Sequence, residues 1–148
     1  MKDEISVTAP AQNDRIMAAL GHATAILPMT GIIAPIVIWV TKRDKSEYVA
    51  FQALQAVVYQ LTIILAWFAG MALYMGSFFG MFFSIPTAGP SRSMPVFVIV
   101  PFAIMGIMLV GSLLFVIYGL VAAAMALQGK DFRYIVIGNQ LKRWLERK

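Results

Sequence analysis

The chain has 148 residues, of which 60% are hydrophobic and 13% charged, and its net charge is +5 with a positive mean hydropathy. A soluble domain carries about 25% charged residues, and a chain this short has too little interior to hide so much apolar surface, so lipid is the expected solvent. The absence of cysteine excludes disulfides, thiolate metal centres and cysteine nucleophiles. The basic residues cluster at the ends of apolar runs, a pattern of membrane topology rather than of a nucleic-acid footprint.

Residues 1–13 are polar and mixed in charge, without the positive start, short apolar stretch and small-residue cleavage site of a secretory signal, and are expected to form a retained, flexible tail. Three charge-free runs follow, with spans expected at about 16–41, 48–83 and 95–128. Each exceeds the roughly 20 residues that cross a bilayer as a helix, and an open strand in lipid would leave its backbone unpaired.

The first run contains Pro28 and Pro35, so its helix is expected to bend, or to break near Pro28-Met29-Thr30-Gly31. Trp39, Lys42 and Arg43 form an interface anchor, an amphipathic ring followed by cations. Asp44 with Glu47 three residues on reads as a capping box for the second helix. The second and third runs are longer than one simple span requires. They meet at a Pro/Gly/Ser turn around the lone Arg92. Either the helices are long, tilted and kinked near Gly70 and Pro101, or residues 69–83 and 96–106 form a hydrophobic hairpin in the outer leaflet. Long helices are favoured, because shorter spans would need tight turns without polar residues.

The expected fold is therefore all-α: a polytopic membrane bundle (14–129) of three long transmembrane helices plus a C-terminal amphipathic helix (130–148). In the tail, Ile137, Leu141, Trp144 and Leu145 share one helical face and Lys142, Arg143, Glu146 and Arg147 the other, which suits an anionic membrane surface better than bulk water. Three spans place the basic first loop and the basic tail on one face, so the positive-inside rule puts the N-terminus outside and the C-terminus in the cytoplasm of a bacterial inner membrane.

Gln52, Gln55, Tyr59 and Thr62 form one polar stripe on the second helix. It either lines a path for a substrate or makes hydrogen bonds between helices, and the second reading is favoured because such bonds are common. The single histidine, His22, reads as an interfacial or packing residue. Gly76 with Gly80 and Gly119 with Ala123 are small-xxx-small pairs that permit close helix approach. The chain contains no nucleophile elbow, phosphate loop, HExxH or carboxylate pair inside a span. No catalytic residue, metal site or cofactor is expected.

His22, Pro28, Gly31, Pro35 and Trp39, then KRDKSEYVAFQALQA, then GKDFRYIVIG (129–138), resemble a small bacterial membrane-protein family related to the twenty-kDa Tic subunit of the chloroplast inner envelope. The magnetosome membrane proteins MamF and MmsF look like relatives of that family. The resemblance covers both ends of the chain but not the stretch from about Trp67 to Pro101. Ile135 stands where the family usually has proline, Phe51-Gln52 replaces a His-containing start, and the chloroplast subunit has four spans. The small-residue faces, the polar stripe and the lack of catalytic patterns point to a non-enzymatic membrane component acting through helix–helix contacts, as a homo-oligomer or as an accessory subunit with a membrane-protein partner. The alternative, which the resemblance to the Tic subunit implies, is a small channel or translocation pore. The lipid bilayer is the expected partner in both cases and nucleic acid in neither.

Overall fold

The structure, a computed structural model, describes residues 9–27, 29–84 and 96–135. Among these residues every regular element is a helix: α1 Gln12–Ala23, single 3-10 turns at Thr24–Ile26 and Thr30–Ile32, α2 Ile33–Lys42, α3 Glu47–Ser84 and α4 Val96–Leu127. The chain divides into two compact units, residues 1–61 with 116–148, and residues 62–115.

Among the described residues two helices, α3 and α4, are long and apolar enough to cross a membrane, not three. The first apolar run is divided rather than bent. α1 and α2 have 12 and 10 residues, about 18 and 15 Å, each well short of a roughly 30 Å hydrocarbon core. Pro35 lies in the first turn of α2, where its missing N–H leaves no helical bond unmade. Met29 adopts a positive φ of 62° between the two 3-10 turns. Gly31 sits so close to the preceding turn that a Cβ would lie 2.0 Å from the Thr24 carbonyl oxygen. Pro28 lies outside the described residues. The charge argument for an external N-terminus rests on three helical spans, and the described residues contain two helices of that length.

The second helix starts at Glu47, and its cap is Ser46 rather than Asp44. The Ser46 hydroxyl accepts from the Val49 N–H at 3.4 Å and donates to Asp14 Oδ2 at 2.8 Å. Serine one residue before the first helical position satisfies an otherwise unpaired N–H. Asp44 lies two residues too early for this and pairs with Arg43 instead, at 3.4 Å. The Arg43 guanidinium also stands 5.9 Å from the Trp39 ring centroid, which keeps the expected anchor together on one turn of chain.

Packing in the first unit is close because the facing residues are small. Ala18 and Ala19 of α1 meet Ala123 and Ala126 of α4, all nearly inaccessible. A Cβ on Gly119 would fall 2.7 Å from that of Ala25. Thus Gly119 and Ala123 do serve helix approach, whereas a Cβ on Gly76 or Gly80 would meet no described atom within 4 Å. In the second unit, Trp67 Nε1 of α3 donates to Ser112 Oγ of α4 at 2.9 Å, and Gly70 leaves room for the Met108 side chain.

α4 ends on Gly129, whose φ of 72° suits glycine. The Gly129 N–H bonds the Ala126 carbonyl and the Lys130 N–H the Met125 carbonyl, the paired bonds of a Schellman motif. The chain leaves it extended. Residues 131–135 alternate between exposed and buried, with Phe132 and Tyr134 inward. The amphipathic helix expected from residue 130 therefore does not begin there, and Trp144 with the rest of 136–148 lies outside the described residues.

Candidate functional site: a polar clasp on α3

Gln52, Gln55 and Tyr59 point into the first unit and are 0%, 0% and 4% exposed. Thr62 is exposed, in the second unit. The stripe is joined inside by Gln60, which was not expected there and is 5% exposed.

Each amide has a defined task. Gln55 Nε2 donates to the Phe132 carbonyl at 3.0 Å, and Gln55 Oε1 accepts from the Tyr134 N–H at 3.2 Å. One side-chain amide thus pairs with the backbone on both sides of Arg133, as the peptide of a neighbouring strand would. Gln52 Nε2 donates to the same Phe132 carbonyl at 3.2 Å, so both lone pairs of that oxygen are used. An extended segment in an apolar setting must have its peptide groups paired, and here two glutamines stand in for a missing strand.

The orientation of Gln52 determines the chemistry of His22. With its nitrogen on Phe132, Gln52 presents Oε1 to His22 Nε2 at 3.0 Å. An amide oxygen only accepts, so Nε2 carries the proton. Nδ1 of the neutral ring then accepts from the Tyr134 hydroxyl at 3.1 Å. The relay runs from Tyr134 through His22 and Gln52 to the Phe132 carbonyl. The aromatic rings close around it: Tyr59 stacks on Tyr134 at 4.1 Å, and Tyr118 stands edge-on to Tyr59, Phe132 and Tyr134. Gln60 serves the chain break between α1 and α2, where Nε2 donates to the Gly21 carbonyl at 3.3 Å and to Thr24 Oγ1 at 3.2 Å. No buried side-chain polar atom among the described residues lacks a partner.

Sequence reasoning placed His22 at an interface or in packing and did not connect it to the stripe. It also missed Phe132, Tyr134, Tyr118, Gln60 and Ser46. The readable signal was Asp131-Phe-Arg-Tyr134, a period-two alternation directly after a helix-ending glycine. Among the described residues no group of three or more His, Cys, Asp or Glu side chains is arranged to hold a metal ion.

No curated protein and no solved structure matches this chain. A family model matches residues 13–141, from the start of α1 to beyond the clasped segment, and so takes in every residue of the clasp. This supports the magnetosome side of the resemblance, and nothing in the comparisons carries the likeness to the chloroplast Tic subunit. The chain belongs to the MamF/MmsF family, the magnetosome magnetite crystal formation protein family.

Proposed function

We propose that the protein is a non-enzymatic component of the magnetosome membrane, and that it contributes to crystal formation through contacts between its helices and other membrane helices. One observation carries this reading: Gln52 and Gln55, the best candidates for lining a path, are fully buried and hydrogen-bonded to their own chain. A pore along the stripe would need these amides turned toward water. What remains for interaction is the apolar exterior of α3 and α4, where Phe68, Leu73, Phe79, Phe82, Leu113 and Leu114 are exposed. On that exterior Gly76 and Gly80 offer a place for a second helix, from another copy or a different membrane protein, to approach closely.

The test uses the lack of native cysteine. Gly76→Cys and Gly80→Cys chains, oxidised in native membranes, should yield a covalent adduct. The absence of any adduct at either position, with a monomer in mild detergent, would contradict contact through this face.

A further inference from the structure

We propose that residues 12–42 form a re-entrant hairpin that enters and leaves the bilayer on one face, so that the N-terminus lies on the same, cytoplasmic, side as the α2–α3 turn and the end of α4. This does not depend on which helices the protein contacts.

The first unit records depth along α3. At the top of α3, Asp14 of α1 accepts from Ser46, and the Tyr48 hydroxyl donates to the Ala126 and Lys130 carbonyls at the end of α4. About two turns lower, a Cβ on Gly21 of α1 would touch Pro35 of α2 and Ala53 and Ala56 of α3. Lower again, Gln60 bonds Gly21 and Thr24, and its Oε1 would lie 3.0 Å from a Cβ on Gly31. α1 therefore descends alongside α3 as far as Gln60, the chain turns over residues 24–32, and α2 climbs back to Lys42.

Gln60 is 14 residues from Ser46, about 21 Å of helix, against a hydrocarbon core of about 30 Å. The returning limb, Thr30–Lys42, reaches a similar length. α3 itself has 38 residues, about 57 Å. The turn thus reverses within the hydrocarbon. Its surface agrees: Ile26, Leu27, Met29 and Ile33 are all more than half exposed, a poor match to water and a good one to acyl chains. Non-helical backbone at that depth must be paired by protein. Gln60, Thr24 Oγ1 on the Gly21 carbonyl, and the Leu27 and Gly31 N–H groups supply that pairing.

Orientation follows from charge. With the hairpin re-entrant, Arg92 is the one Lys or Arg on the α3–α4 connection, and every other one falls on segments leading from the common face. This bias is stronger than three spans would give, and it puts that face in the cytoplasm.

Single-cysteine chains Ala9→Cys, Lys45→Cys and Lys130→Cys, all at exposed positions, report the sidedness. A membrane-impermeant maleimide should label all three in inverted inner-membrane vesicles and none in intact cells with a permeabilised outer membrane. Labelling of Ala9→Cys in cells where Lys45→Cys is protected would mean that residues 12–42 cross the bilayer and would overturn the hairpin. Labelling of all three in intact cells would overturn the cytoplasmic orientation.

Discussion

Replacing Gln55 by leucine is expected to release the extended segment after α4 and to cost about 2–4 kcal/mol. Leucine fills much of the same space but has neither donor nor acceptor. The Phe132 carbonyl keeps its bond from Gln52, whereas the Tyr134 N–H loses its acceptor. A buried peptide N–H without a partner costs about 1–3 kcal/mol, and the lost bond from Gln55 to the Phe132 carbonyl adds about 1 kcal/mol. Release of Tyr134 would also open its stack on Tyr59 and remove the hydroxyl that holds His22 Nδ1. Unfolding in detergent measures the cost, and trypsin cleavage at Arg133 should accelerate alongside it. Adding Gln52→Leu should cost less than it does alone, because a segment already released no longer needs the second amide. A Gln55→Leu chain within about 0.5 kcal/mol of the parent would remove the clasp as a source of stability.

The Gly31→Ala chain should be damaged more severely, by about 3 kcal/mol or more. The added Cβ would lie 2.0 Å from a backbone oxygen of Thr24, and backbone cannot swing aside as a side chain can. The turn that reverses the hairpin would have to open, which breaks the contacts of Gln60 with Gly21 and Thr24. Gly76→Ala and Gly80→Ala provide the contrast. Both are helical positions with no described atom within 4 Å of the new Cβ, so alanine should leave stability unchanged or raise it by up to about 1 kcal/mol. Equal effects at positions 31 and 76 would mean that the turn is not packed as described.

The helical class, the two long apolar helices and the inward face of α3 could be read from the sequence because lipid leaves few ways to fold a charge-free run. The number of helices of membrane-crossing length could not. Residues 16–41 are long enough to cross, and a break near Pro28–Gly31, one of the two expectations for that run, does not by itself distinguish an interrupted helix from a reversal. What makes it a reversal is the close approach to Thr24 and the amide of Gln60, a residue 29 positions later. The cap was misplaced for a local reason: Asp44 and Glu47 have the spacing of a capping box, but Ser46 is the residue next to the first helical turn. The expectation that the stripe bonds between helices covers only part of what it does: Gln52 meets His22 of α1, but Gln52 and Gln55 also clasp the backbone of residues 132–134, 77–80 positions away in sequence, and side-chain periodicity carries no record of a backbone partner.

The amides of α3 are buried and engaged with their own chain. Single cysteines at Ala53 and Ala56, which are fully buried on α3 beside the amides and take no side-chain part in the clasp, can be challenged with a small water-soluble maleimide in native membranes, with Lys45→Cys as the exposed reference. The reference should react fully when its face is open, and positions 53 and 56 should stay unlabelled until the membrane protein is denatured. Rapid labelling at both in the folded state would reveal a water-filled path along α3 and rule out a dry clasp.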